Sequence, residues 1–215
     1  MIFQPLVEFR QTLYRLMGRS KDALFDLMDA VMTTPEVSSF VRLSQNPLFR
    51  REWSSLYSSL KRARLPYTKL MKCLTQQVPT DQRPVLSGDT TQWSRPAAVT
   101  LKERTYGRGS RGSIEVGHTY STLAWVPEAE GSWVLPLRHE RLSSFETPVS
   151  KAAFQLKQVC RQGLPRPIAT YDRAYGNAPF VKATTEIEAD VLVRLPSNRC
   201  VWGPPPPYSG RGAPR

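Results

Sequence analysis

The chain has 215 residues, 40% of them hydrophobic and 10% aromatic, a balance that excludes wholesale disorder and allows one large domain or two small ones. Lys and Arg number 30 against 18 Asp and Glu, a formal charge of +12. A surface that basic favours a polyanionic partner, because neutralising phosphates releases condensed counterions, although a basic ribosome-associated or plainly soluble protein has the same balance.

Cys73, Cys160 and Cys200 lie far apart, no CxxC occurs, and His118 and His139 have no Cys or His at ligand spacing. These spacings argue against a structural zinc site and a secreted disulfide framework. The opening MIFQPLVEFRQ lacks the apolar core of a signal peptide, and no window approaches the ~20 apolar residues of a membrane span. The expectation is a cytoplasmic protein with no membrane partner.

Residues 1–80 carry helical periodicity and are expected to form a bundle of four or five short helices. Leu24, Leu27, Met28, Val31 and Met32 fall on one apolar stripe. Thr34-Pro35 offers an N-cap with proline at the first helical position. Asn46-Pro47 repeats the signal before Phe49, Trp53, Leu56 and Leu60, which share a face. Leu65-Pro66 opens a last segment with Leu70, Met71 and Leu74. Charge is uneven here: residues 1–49 are neutral, whereas 50–72 hold Arg50, Arg51, Lys61, Arg62, Arg64, Lys69 and Lys72 against Glu52 alone. A field so concentrated suits a phosphate-tracking surface, and equally a solvated helical face.

From residue 81 the pattern becomes β-rich with period two. Pro84–Asp89 is a short buried strand ending at a carboxylate, His118–Val126 is rich in β formers, and Trp133–Leu137 follows a Glu-Gly turn. Thr147-Pro148 starts a helix reaching about Gln162, with Ala152, Leu156 and Val159 on one side and Gly163 as its stop. Pro167–Asp172 is a second buried strand ending in a carboxylate. A short helix near Pro179–Glu186 leads to a strand over Asp190–Leu195. The order of three strands, helix, strand, helix, strand predicts a mixed α/β sheet. The tract 203–215, with four consecutive prolines, favours polyproline II, as a stiff connection or a docking ligand. It ends on a basic Gly/Pro run with no closing element, the pattern of an interrupted domain.

Asp89 and Asp172 stand out because functional side chains gather where strands of an open α/β sheet end. If their strands are neighbours the carboxylates converge, and a divalent cation between them removes the repulsion. Two such cations activate water and stabilise the leaving oxygen in phosphodiester cleavage. Asp-Thr and Asp-Arg after strands also occur as plain turn formers and N-caps. The run Gly107–Gly112 lacks a following Lys-Ser/Thr and is a basic loop or hairpin connection, not a nucleotide loop. His118 and His139 are ordinary polar positions, and Ser87-Gly88-Asp89 is not a nucleophile elbow.

The segment Val85-Leu86-Ser87-Gly88-Asp89-Thr90-Thr91, followed at 83 residues by Ala169-Thr170-Tyr171-Asp172-Arg173-Ala174-Tyr175-Gly176, resembles the DDE insertion-sequence transposases of bacteria. The stretch Ser39–Arg51 and the closing Gly210–Arg215 look similar to the same group. The resemblance implies a basic helical domain over 1–80 that contacts DNA, and an RNase H-like catalytic domain over 81–215. It implies metal-binding, catalytic roles for Asp89 and Asp172 with Mg2+ or Mn2+. It further implies a third ligand, a glutamate, expected beyond Arg215, so that this chain would be a truncated piece inactive alone. Transposon ends and target DNA would be the partners, with an oligomer on DNA at full length. Arg50, Arg51, Lys61, Arg62, Arg64, Lys102, Arg104, Arg108 and Arg111 would hold backbone phosphates. A non-catalytic, basic DNA-binding protein with structural aspartates is the alternative.

Overall fold

Helices occupy the first third of the chain, in a computed structural model that describes residues 3–108, 112–128, 130–200 and 203. They are α1 (Gln4–Leu16), α2 (Lys21–Thr33), α3 (Phe40–Ser44), α4 (Trp53–Arg62) and α5 (Tyr67–Thr75). Ala30, Leu43, Phe49 and Leu56, with Leu27 packed beside them, form their hydrophobic centre.

The apolar stripe of α2 is rotated from the one expected. Leu24 and Ala30 are buried, but Val31 and Met32 are exposed, and Asp26 lies inside at 6% exposure. The cause is electrostatic: Arg50 and Arg51 each donate to the Asp26 carboxylate at 3.1 Å, which draws the segment before α4 against that face. Burial of a charge is tolerated only when it is paired in this way.

Two expected helix starts also fall elsewhere. Thr34 ends α2, its hydroxyl donating to the Ala30 carbonyl at 2.6 Å, and α3 starts later with Ser39 as N-cap. Asn46 opens a turn rather than a helix: its carbonyl oxygen accepts from the Leu48 amide, and its amide group donates to the hydroxyls of Thr33 and Thr34. Short polar side chains at a helix end satisfy backbone groups in either geometry, so the same residues serve as turn or cap. Of the face expected on α4, Leu56 is buried while Trp53 and Leu60 are exposed.

The remainder is a mixed sheet with two helices. Its strands are β1 (Val85–Ser94), β2 (Thr105–Arg108), β3 (Ile114–Val126), β4 (Leu135–Arg141), β5 (Ile168–Tyr171) and β6 (Asp190–Val193); α6 (Pro148–Cys160) and α7 (Ala178–Thr184) lie between the later strands in sequence. The order is β2-β3-β1-β5-β6, with β4 also pairing β3. β1 to β4 are antiparallel neighbours, whereas β5 and β6 run parallel to β1, as helical crossovers require. The mixed α/β architecture matches the expected order, with β2 added where the sequence suggested only a loop or hairpin connection.

α6 covers one face of this sheet. Thr147 caps it by accepting from the Ser150 amide at 3.1 Å, and Gly163 follows at φ +84. Ala152, Leu156 and Val159 are buried, as the periodicity predicts, against Leu86, Leu123, Leu137, Ala169 and Tyr171. Gln155, fully buried on the same face, accepts from the Ser121 hydroxyl at 2.7 Å and donates to the Ser121 carbonyl at 3.0 Å. Because side chains alternate along a strand, Ser87, Asp89, Thr122 and Thr170 point to the opposite face.

Two further contacts fix the sheet edges. Asp190 pairs with Arg83 and with Arg166, whose Nε donates at 2.9 Å, and Arg83 Nε donates to the Arg166 carbonyl at 3.0 Å. The starts of β1, β5 and β6 are thereby clamped together. On the β4 side, the Tyr67 hydroxyl of α5 bonds both backbone groups of His139, covering a strand edge. Among the described residues no helix is long and apolar enough to cross a membrane.

Gln155→Ala removes both bonds to Ser121 and leaves a cavity at the helix–sheet seam. The expected loss is about 2–4 kcal/mol of unfolding free energy in a denaturant titration; an unchanged midpoint would show that this seam does not hold α6.

Candidate active site

Gly88 and Tyr171 are register partners on the parallel strands β1 and β5. One residue further on, Asp89 and Asp172 therefore stand side by side, on neighbouring strands about 4.8 Å apart. The backbone of Asp172 is still extended, with φ −74 and ψ −177, so its side chain continues the strand alternation. Both aspartates are exposed, on the face away from α6.

Each carboxylate accepts from a backbone amide just after it in the chain. Asp89 Oδ1 accepts from the Thr90 amide at 2.6 Å, and Asp172 Oδ1 accepts from the Ala174 amide at 2.8 Å. Asp172 thereby caps the 3-10 turn Arg173–Tyr175, after which Asn177 caps α7 by accepting from the Phe180 amide at 3.0 Å. Among the described residues the second oxygen of each aspartate accepts no hydrogen bond, and neither aspartate forms an ion pair with Lys, Arg or His. In a chain of net charge +12, two adjacent uncompensated carboxylates stand out, since like charges so placed repel.

A tyrosine floor lies under this rim. The rings of Tyr171, Tyr175 and Phe180 pack with centroids 4.7–5.2 Å apart. Tyr171 sits directly over Gly88: a Cβ there would lie 2.1 Å from Cε1 of the ring. Glycine before Asp89 thus allows the ring to reach the strand. Burial pushes the Tyr175 hydroxyl up to about 12; the Thr90 side chain lowers it, and the Asp89 and Asp172 charges each add a smaller increase. Gly88, Thr90 and Tyr175 stand within three residues of Asp89 or Asp172, and nothing in the local sequence distinguishes them from their neighbours.

The basic residues expected to meet phosphate are not equivalent. Arg50 and Arg51 are tied to Asp26, and Arg51 also reaches Asp22 at 4.0 Å. Lys61 and Arg62 end α4 and are exposed, as are Arg64 and Lys102, whereas Arg104 is half-buried and donates to the Pro96 carbonyl at 3.0 Å. Arg108 ends β2, and Arg111 lies outside the described residues, as does the proline tract 204–207. His118 is buried, with a ring nitrogen 2.9 Å from the Lys102 carbonyl; His139 meets the Thr122 hydroxyl at 2.8 Å and stacks on Tyr120. Both histidines are engaged in local packing.

The donor set suits a hard cation in part. Two exposed carboxylates, each with a free oxygen, are the ligands that Mg2+ or Mn2+ prefers. Among the described residues, however, no group of three His, Cys, Asp or Glu side chains could hold a metal ion. The pair is half of a site.

Unlike the strand expected to end at Asp89, β1 continues to Ser94, so Asp89 lies within it beside Asp172, which follows the last residue of the parallel strand β5; this pair in an α/β sheet defines a candidate for metal-dependent phosphodiester chemistry. The family model for the DDE superfamily endonucleases matches residues 12–215, and the chain belongs to that family. Among solved structures it is similar to piggyBac transposase, in a synaptic complex with hairpin DNA, at 12% identity and a TM-score of 0.47, covering 83% of this chain and 42% of that one. It is similar also to the Drosophila P element transposase, in a strand transfer complex, at 13% identity and a TM-score of 0.42, covering 90% of this chain and 47% of that one. The chain thus spans less than half the length of either transposase. No curated protein matches it.

Gly88→Ala would drive a methyl group into the Tyr171 ring, which Tyr175 and Phe180 prevent from moving freely. A loss of about 1–3 kcal/mol is expected from overpacking, measurable as a lowered denaturant midpoint; wild-type stability would contradict the close approach of ring and strand.

Proposed function

We propose that this chain is the part of a DDE transposase that brings the first two metal-binding carboxylates to the DNA, and that Asp89 and Asp172 are those catalytic ligands. The observation that carries this reading is their placement one residue beyond the Gly88–Tyr171 register pair, Asp89 within β1 and Asp172 just after β5, both exposed and without a cationic partner among the described residues. Membership of the DDE superfamily endonucleases supports it.

In this reading the backbone amides of Thr90 and Ala174 fix one oxygen of each carboxylate, which leaves the other oriented outward to bind. Asp89 and Asp172 would hold a divalent cation, Mg2+ or Mn2+, whose Lewis acidity would serve attack of water on a phosphodiester at a transposon end, releasing a 3′-hydroxyl, and attack of that hydroxyl on a target phosphodiester, whose own 3′-oxygen would leave. Lys61, Arg62, Arg64 and Lys102 bind backbone phosphates, which sets register without reading sequence. Arg50 and Arg51 do so with only part of their charge, the rest being neutralised by Asp26. The helical residues 1–80 form the DNA-contacting unit and the sheet carries the chemistry. With no third carboxylate beside the pair among the described residues, the chain binds the cation but does not cleave DNA by itself.

The backbone bonds of both aspartates, one of which caps a turn, favour a second reading, a non-catalytic basic DNA-binding protein in which these residues are structural. Metal affinity separates the two. In a Mn2+ titration of the full chain, Asp89→Ala and Asp172→Ala should each weaken binding by at least about tenfold. Equal affinity in wild type and both variants would leave only the structural role.

A further inference from the structure

Residues 1–49 hold five basic and five acidic side chains, yet the fold does not leave them neutral everywhere. The three acids of α2 are engaged within the chain. Asp22 accepts from the Tyr14 hydroxyl and meets Arg51, Asp26 is shared by Arg50 and Arg51, and Asp29 pairs with Arg10 at 2.9 Å. Of the other two acids, Glu36 lies 3.8 Å from Arg42 and Glu8 accepts from Gln4. Among the described residues, the basic side chains of this segment that form no ion pair are Arg15, Arg19 and Lys21. These three stand together where α1 turns into α2. Gly18, at φ +65, makes the turn, and the contacts Tyr14–Phe25 and Arg10–Asp29 nest about it, so the helices form an antiparallel hairpin. A groove along their seam is lined by Arg10, Gln11, Arg15 and Lys21 over the Tyr14 and Phe25 rings. Lys21 holds its ammonium 4.7 Å from the centre of the Tyr14 ring, a contact that leaves its charge in place, and Arg15 and Arg19 are exposed.

We propose that this α1–α2 corner is a phosphate-binding site for duplex DNA, in which Arg15, Arg19 and Lys21 hold the sugar-phosphate backbone. This rests on the reading of residues 1–80 as the DNA-contacting unit, and not on the acidic pair as metal ligands. A polyanion is drawn to cations that lack an internal counterion, and each phosphate neutralised releases condensed ions. Helix stability does not account for the placement. A cation suits the C-terminal end of a helix, where Arg15 lies on α1, but Lys21 opens α2 and Arg19 precedes it, at the positive end of that dipole. Their charge there works against the helix until an anion joins it. Contacts to backbone phosphate set position and carry no base sequence.

The test is a salt titration of the affinity of the full chain for a labelled DNA duplex of arbitrary sequence, read by fluorescence anisotropy in EDTA so that no metal takes part. The triple variant Arg15→Ala, Arg19→Ala, Lys21→Gln should bind about tenfold or more weakly, equally on unrelated sequences, and its slope of log K against log salt should fall by about 2–3. Its thermal midpoint should match the wild type. Arg15→Ala and Arg19→Ala alone, both at exposed positions, should each lower the slope by about 1. Arg10→Ala removes a cation already paired with Asp29 and should keep the wild-type slope. A wild-type slope in the triple variant would overturn the inference; if Lys61→Ala, Arg62→Ala, Arg64→Ala still lowers it, the DNA reading stands without this corner. An Arg10→Ala slope as low as that of Arg15→Ala would also overturn it, since net charge rather than this site would be responsible. Failure of the wild-type chain to bind the duplex would overturn the inference together with the DNA-contacting role of residues 1–80.

Discussion

The parallel pairing of β1 with β5 is the constraint on which the site depends. Asp89 and Asp172 are 83 residues apart in the chain, and only the register that sets Gly88 against Tyr171 makes them neighbours. A slip of one residue would turn one carboxylate to the α6 face and separate the pair, since strand side chains alternate. The register is fixed from both sides of the site. At the strand starts, Asp190 binds Arg83 and Arg166 together, and within the pairing the Thr170 hydroxyl donates to the Leu86 carbonyl at 3.1 Å. Near the strand ends, the Tyr171 ring fits over a glycine that no other residue could replace without displacement.

The buried face sets the direction of the exposed one. Leu86 and Ala169 are fully buried beneath α6, and Gly88 and Tyr171 lie on the same side. Asp89 and Asp172, one position on, are then obliged to face away from the core. Hydrophobic burial on one side therefore delivers two charges to the same open surface on the other, with no interaction between the charges needed to bring them there. The energy opposing their approach is met by the core, and the repulsion remains available to be relieved by a cation.

Much of this was legible in the sequence because its signals were local. The apolar runs before Asp89 and Asp172, the Thr147 cap with its periodic helix, and the alternation in β3 all depend on residues close in the chain, whereas the continuation of β1 past Asp89 to Ser94 comes from its pairing with β3. That the two aspartate strands are adjacent was accessible only as a condition, since pairing partners are not written in either strand alone. The helical third was less legible. Thr34-Pro35 and Asn46-Pro47 carry cap chemistry, yet Thr34 closes a helix and Asn46 bridges to Thr33 and Thr34 through long-range bonds. The stripe of α2 was misplaced for the same reason: Asp26 counts as polar in a periodicity, and only the arrival of Arg50 and Arg51 makes it a buried position.

That last contact also changes what the basic stretch 50–72 means. Seven positive residues against one negative suggest a uniform phosphate-binding band. Two of the seven, however, share one carboxylate at 8% side-chain exposure, so their field is partly cancelled close to the surface. Arg50 remains well exposed despite its bond and keeps free N–H donors, whereas Arg51 is half-withdrawn between Asp22 and Asp26. The uncompensated part of the field therefore begins at the end of α4, with Lys61, Arg62 and the adjoining Arg64. Since these cations also complement the negative end of the α4 dipole, their presence there has a structural cause that is independent of any nucleic acid. Net charge counts residues equally, whereas a polyanion responds only to those without an internal counterion, and in this chain the two measures diverge at the residues nearest the helical core.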